Sequence, residues 1–239
     1  MHRSRTGRLA PIVLGLAVIG AAGWWVTNSP LFDMHRLEVS GNSHLSDNEV
    51  ARLARLSRTT NVVWLKNKTV AGRIERDPWV LRARVSRTLP GTVSVSIHER
   101  KAVAALEGRG RSVAVAADGM ILGPVSAKAR LPVIELPGAP TVLGSRIAGM
   151  PPQLLVARAL PASLRRRVAR IIQAGSSLTL ILRDGVTVRY GDASEAGAKA
   201  RALVSLLEWA HDRGIRPDYI DVQAPAAPAL LPRSAATSG

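Results

Sequence analysis

The hydrophobic pattern along the chain changes character twice. From Leu9 to Thr27 it is continuous, 19 residues without a charge. A helix of that length rises roughly 28 Å, close to the hydrocarbon thickness of about 30 Å. Pro11 lies in its first turn, where a missing N–H costs little. Trp24 and Trp25 close the run, where interfacial indoles sit. The pattern predicts one transmembrane helix over 9–27, in contact with the lipid bilayer. Arg3, Arg5 and Arg8 precede it without an acid, and Asp33 follows it. Positive residues stay on the cytoplasmic side. Residues 1–8 therefore read as a cytoplasmic tail and the bulk as extracytoplasmic, in a single-pass arrangement. A cleaved signal peptide is the competing reading, with Leu9–Gly20 as the apolar region and Ala21-Ala22-Gly23 near the cut. The apolar stretch runs on through Trp24-Trp25-Val26, which favours a retained anchor. Ala17 and Ala21 make one small-xxx-small pair, a weak signal for helix packing.

Past Pro30-Leu31-Phe32 the pattern shortens. His35 to Ser40 alternates with period two, as a half-buried strand does. Gly41-Asn42 turns the chain. Ser46-Asp47-Asn48-Glu49 is a capping box that starts a helix, continued by Val50, Leu53, Ala54 and Leu56. Thr69 to Arg76 predicts a second helix with Val70 and Ile74 inward, ended by Asp77-Pro78. A hairpin follows. Trp79, Leu81, Ala83, Val85 and Arg87 share one parity of its first strand; Pro90-Gly91 turns it; Val93, Val95 and Ile97 alternate in the second. The order is β-α-α-β-β, with Trp79, Val85, Val95 and Ile97 as its expected core.

The second change comes at Lys101, where short strands dominate. Val103–Leu106 and Ser112–Ala116 read as strands, with a turn at Asp118-Gly119. Residues 124–152 are rich in Pro and Gly around a strand-like Val133-Ile134. Gln153–Leu160 reads as a helix, and Pro161 opens a short basic one through Arg165-Arg166-Arg167. Leu178–Leu182 and Val186–Tyr190 form a hairpin across Arg183-Asp184-Gly185. Glu195–His211 is amphipathic, with Ala198, Leu203, Leu206 and Leu207 inward and Gly214 as its stop. Tyr219-Ile220-Asp221-Val222 is the last expected strand. Residues 224–239, rich in Ala and Pro, are expected to be disordered.

Composition adds less. The net charge of +16 could suit nucleic acid, but the extracytoplasmic placement argues against it, and aromatics make up only 3%, leaving little stacking surface. Anionic headgroups or an acidic partner fit better, and a solvated basic surface fits best. With no cysteine there is neither a lipoprotein anchor nor a disulfide, so the apolar core must suffice. His2, His35, His44, His98 and His211 show no metal spacing. No Ser-x-x-Lys, Gly-x-Ser-x-Gly or phosphate-cradling glycine loop occurs. Asp118, Asp184 and Asp192 fall in or beside turns, where Asp is common without chemistry. No catalytic residue, metal site or cofactor is assigned.

Several of these residues together resemble one family. Val39-Ser40-Gly41-Asn42 with Leu45-Ser46 and Glu49-Val50, then Asp77-Pro78-Trp79-Val80, Ala83-Arg84-Val85, Arg87-Thr88-Leu89-Pro90 and Glu99-Arg100, resemble the POTRA domain of FtsQ/DivIB, the bitopic bacterial cell-division proteins. Leu89 stands where the family often has tryptophan. Asp118-Gly119 and Tyr219–Val222 followed by Pro225 resemble parts of that family's second, β-rich domain. The resemblance implies an α+β chain: a POTRA domain over 31–100, a β-rich FtsQ-type domain with flanking helices over 101–223, then the tail. It implies a non-enzymatic scaffold of septum formation at the cell membrane, binding an FtsB–FtsL-type pair and in some cases FtsW- or FtsI-like proteins. The pair would add a strand beside the last one. On that reading Tyr219, Ile220, Asp221, Val222 and Gln223 form an edge strand, with Ile220 and Val222 inward and Tyr219, Asp221 and Gln223 outward. Two other readings are a basic ectodomain that binds peptidoglycan or anionic lipid, and a POTRA-bearing chaperone or secretion component. The second would need a β-barrel. Arginine far outnumbers lysine and alanine is abundant, which points to a GC-rich bacterium such as an actinobacterium.

Overall fold

The computed structural model describes residues 9–108, 111–126 and 129–233. The chain divides between Glu99 and Arg100 into two compact units. The expected residues 1–8 and 234–239 segments lie outside the described residues.

The first unit opens with helix α1 (Leu9–Thr27), whose bounds match the apolar run. A single 3-10 turn, Pro30–Phe32, follows, capped by Ser29. Strand β1 (Arg36–Ser40) leads to Gly41, whose φ of 80° suits glycine and where a Cβ would overlap the Ile97 carbonyl. Helix α2 (Asp47–Ala54) carries the capping box, with both Ser46 and Glu49 bonds formed. Helix α3 (Asn67–Ile74) starts two residues ahead of the expected Thr69, without a side-chain cap. Strands β2 (Val80–Thr88) and β3 (Thr92–Glu99) form the hairpin, and the sheet order is β1-β3-β2. β1 runs parallel to β3, from Arg36 beside Thr92 to Ser40 beside Ser96. Both helices pack on one face, around Val50, Ala54, Val70, Ile74, Val80, Val93, Val95 and Ile97. Each of these, fully buried, stabilises by about 1–3 kcal/mol at most.

The parity expected for β2 is not kept at its start. Val80 is buried and Leu81 is 45% exposed, the reverse of expectation. A bulge between Val80 and Arg82 moves one residue out of register and so exchanges the faces before it. Trp79 is accordingly only half-buried, stacked on the His44 ring at 3.6 Å between centroids. Val85 is half-buried too, whereas Val95 and Ile97 are core.

Glu99 closes this unit. It accepts from the Ser43 hydroxyl at 2.7 Å and from the N–H groups of His44 at 2.9 Å and Leu45 at 3.0 Å. Partial burial works to raise its pKa, but these bonds outweigh it and hold the carboxyl below the usual carboxylate range.

The second unit is a nine-stranded mixed sheet with the order β12-β11-β10-β9-β8-β7-β4-β5-β6. Its strands are β4 (Ala102–Gly108), β5 (Arg111–Ala116), β6 (Ile121–Pro124), β7 (Val133–Glu135), β8 (Val168–Ala174), β9 (Ser177–Leu182), β10 (Thr187–Gly191), β11 (Pro217–Asp221) and β12 (Ala229–Pro232). Helices α4 (Pro152–Ala159), α5 (Ala162–Arg167) and α6 (Ala196–Asp212) complete it. Leu106, Ile134, Leu154, Leu160, Leu178, Leu180, Leu182, Leu203 and Ile220 form a core in which none is more than 1% exposed. On α6 the buried positions are Lys199, Ala200, Leu203, Leu207 and Ala210; Ala198 and Leu206 are half-buried at its margin.

Arg100 and Asp118 tie the start of this unit together at 2.9 Å, with Arg146 3.3 Å from the same carboxylate. Burial raises the Asp118 pKa, and the two arginines and the Met120 N–H bring it below its ordinary value. The turn aspartate thus serves structure.

Candidate partner-binding site

A sheet can offer a partner its ends, because a terminal strand keeps a row of unpaired N–H and C=O groups. At the β6 end that row is covered. Ile121 N–H donates to Ser145 O and its carbonyl accepts from Gly144 N–H, while Ile147 N–H donates to Gly119 O. The loop over 142–147 therefore blocks this end.

The other end is built from β10 outward. β10 pairs parallel with β11, Thr187 beside Tyr219 and Arg189 beside Asp221. Ile220 and Val222 are fully buried under this layer, as the alternation implies. Tyr219 and Asp221 are half-buried and Gln223 is exposed. An exposed ion pair, Arg189 to Asp221 at 3.9 Å, contributes little. Below, Lys199 is only 3% exposed and donates to the Asp192 carbonyl at 3.1 Å and carboxylate at 2.7 Å. The Lys199 bond, then those from Ser194, bring the Asp192 pKa down to about 2. Tyr190, fully buried, donates its hydroxyl to the Ala196 carbonyl, and burial pushes its pKa up. These contacts pin the crossing from β10 to α6.

The expected edge strand over Tyr219–Gln223 is not the edge. The strand ends at Asp221, and Gln223 N–H turns onto the Asp221 carboxylate at 2.9 Å. The chain then bends, Ala227 N–H to Ala224 O at 3.0 Å, and returns as β12, antiparallel to β11 with Tyr219 beside Leu231 and Asp221 beside Ala229. Residues 229–232, expected to be disordered, are thus the terminal strand. Pro225 and Pro228 fall in the bend, where they interrupt no ladder. Pro232 lies in the strand itself. Because Arg233 N–H donates inward to Arg216 O, the nitrogens of Leu230 and Pro232 point outward, where a missing N–H costs the ladder nothing. Leu230 packs against the core, and Leu231 is 61% exposed. Reasoning from sequence missed β12 because two leucines between prolines show no readable alternation.

Residues 32–100 match the family model described as POTRA domain, FtsQ-type, and residues 104–223 match that of the cell division protein FtsQ/DivIB C-terminal region. The chain belongs to the FtsQ/DivIB family of cell-division proteins. Cell division protein FtsQ of Streptomyces venezuelae is 31% identical over 226 residues, which cover 91% of this chain and 82% of the relative. FtsQ of Streptomyces collinus is 30% identical over 241 residues, covering 95% and 89%. FtsQ of Mycolicibacterium smegmatis is 31% identical over 201 residues, covering 83% and 58%. These actinobacterial relatives agree with the composition. The solved major extracytoplasmic domain of the trans isomer of DivIB from Geobacillus stearothermophilus is 16% identical, covers 49% of this chain and 98% of that one, and has a TM-score of 0.32. That likeness is too slight to bear on the architecture. Membership of FtsQ/DivIB gives the POTRA-type and β-rich halves their place and makes cell division the setting. The second family match stops at Gln223, ahead of β12.

Proposed function

We propose that this chain is a non-enzymatic, single-pass scaffold of the division septum, with residues 1–8 in the cytoplasm, α1 in the cell membrane and both units outside. It captures an FtsB–FtsL-type pair by strand addition at β12. The observation that carries this reading is the end of the second unit's sheet: among the described residues β12 is terminal, Leu231 stands exposed on it, and the opposite end is blocked. An extended segment laid against β12 would gain main-chain bonds from Leu230, with Leu231 supplying side-chain contact. Tyr219, Asp221 and Gln223 become flanking contacts of the same site, with Ile220 and Val222 beneath.

The crossing rests on the uncharged α1 run and the arginine tail. Among the described residues no helix is long and apolar enough to cross a membrane.

The test is co-purification of the full chain from membranes with an FtsB–FtsL-type pair of the same organism. Leu231→Asp should leave the melting temperature within a degree or two and reduce capture strongly, because a charge on an edge opposes pairing. Unchanged capture by a folded Leu231→Asp chain would place the partner elsewhere.

A further inference from the structure

α1 meets the first unit without a slack linker. The Asn61 side-chain amide donates to the Thr27 carbonyl at 2.7 Å, and its oxygen accepts from the N–H groups of Val63 at 2.9 Å and Trp64 at 3.4 Å. Val62 N–H donates to Phe32 O at 2.8 Å, and Met34 N–H to Thr60 O at 2.9 Å. Arg87 gathers the same loop from the hairpin, donating to the carbonyls of Val62 at 2.9 Å, Val63, and Leu65 at 3.0 Å. His35 N–H donates to Gly91 O at 2.8 Å, which brings the β2–β3 turn to the same place. The end of α1, the loop over 61–65 and the turn at 89–91 are therefore one bonded cluster.

Large apolar side chains stand out from it. Leu31 is 60% exposed, Trp64 57% and Leu89 57%. Past α1, the first unit exposes only one other large hydrophobic among the described residues, Leu81. Arg58, Lys66 and Lys68 are exposed close by in sequence. An exposed indole on a hydrogen-bonded loop, with aliphatic tips and cations nearby, has the chemistry of the bilayer interface, where tryptophan sits at headgroup level and cations meet phosphates.

We propose that this end of the first unit is a membrane foot. Leu31, Trp64 and Leu89 enter the outer-leaflet interface of the membrane that α1 crosses, while Arg58, Lys66 and Lys68 meet its phosphates. The occupant follows from continuity: the cluster is bonded to the Thr27 carbonyl at the end of α1, so a bilayer around that helix reaches the cluster first. The inference rests on the reading of α1 as a crossing helix. A foot of this kind fixes the unit's height and tilt above the membrane.

The chain has no cysteine, so single cysteines can be labelled cleanly. Full-length chains carrying Val18→Cys, Asn48→Cys, Trp64→Cys or Leu89→Cys are labelled with an environment-sensitive fluorophore. They are reconstituted into phosphatidylcholine–phosphatidylglycerol vesicles containing, in parallel samples, a lipid with a shallow nitroxide quencher or one with a nitroxide deep in its acyl chain, because residue 18 lies midway along α1. Labels at 64 and 89 should lose most of their emission to the shallow quencher, at a depth of about 5–10 Å, and the label at 18 should lose most of its emission to the deep one. Asn48, exposed at the far end of β1, should keep its emission. Adding Trp64→Glu to the chain labelled at 89 should cut quenching there at least about twofold, as an interfacial anchor is lost. If 18 is quenched but 64 and 89 behave like 48, the foot is overturned and the crossing stands. No response to Trp64→Glu also overturns it. If 18 is not quenched, the crossing fails and the foot with it.

Discussion

At the scale of single residues, carboxylates do structural work through their charge. Glu99 spends both oxygens on a turn 54 to 56 residues away. Its pKa is held below the usual range in the folded chain, so its contribution is present above the unfolded pKa of about 4.3 and fades as pH falls through the folded value. Glu99→Gln should therefore cost about 1–2 kcal/mol near pH 7, at the modest end because the group is partly exposed. The gap in melting temperature between parent and variant should begin to narrow near the unfolded pKa and close as pH falls past the lower folded value. A gap independent of pH would mean that shape, not charge, matters there. Lys199→Ala makes a different case. It removes a nearly buried ammonium from Asp192 and opens a void beside Tyr190, and should destabilise the second unit by about 2–4 kcal/mol, read by thermal melting.

At the scale of elements, Val95→Asp tests the assigned face of β3. Val95 is 1% exposed, and a carboxylate there would cost at least about 3 kcal/mol; a variant that melted like the parent would refute the packing. The elements that announced themselves in sequence were those with local signals. α2 showed its capping box, α6 its long amphipathic face, β9 and β10 their Asp-Gly turn, and β3 its clean alternation. β2 read wrongly at Trp79 and Leu81, because a bulge leaves no mark in the order of side chains. β8 went unread, since Arg170 and Gln173 interrupt its apolar run and a basic helix precedes it. At the candidate site, the inward pair Ile220 and Val222 was legible from alternation. The strand outside them was not, because what shields a strand is decided by a return of the chain that Pro225 and Pro228 made improbable. The pairing of Leu231 with Tyr219 is a long-range fact, and sequence periodicity carries only local ones.

At the scale of the whole molecule, the proposed layout is open to direct measurement. Protease added to intact spheroplasts should remove both units and leave a small membrane-held fragment with the arginine tail. A mature N-terminus at or after Trp24 would instead mean cleavage and release. One feature of the first unit also bears on how such a chain could be delivered. β1 is the first strand outside α1, yet its neighbour is β3, and the hairpin partner β2 lies beyond. A parallel neighbour cannot be supplied by a tight turn, so β1 has nothing to pair with until residues up to about Glu99 have emerged. On the proposed layout, with export from the N-terminal side, this strand would wait, open, for the last strand of its own unit. Stalled chains of increasing length, probed by pulse proteolysis, should show protection of 36–40 arising in one step, after β3 clears the translocon, and never gradually with length. The proposed tether and the finishing strand of the unit would thereby be coupled in time: a chain cut short within β3 would stay at the membrane with an exposed, aggregation-prone ribbon at its base.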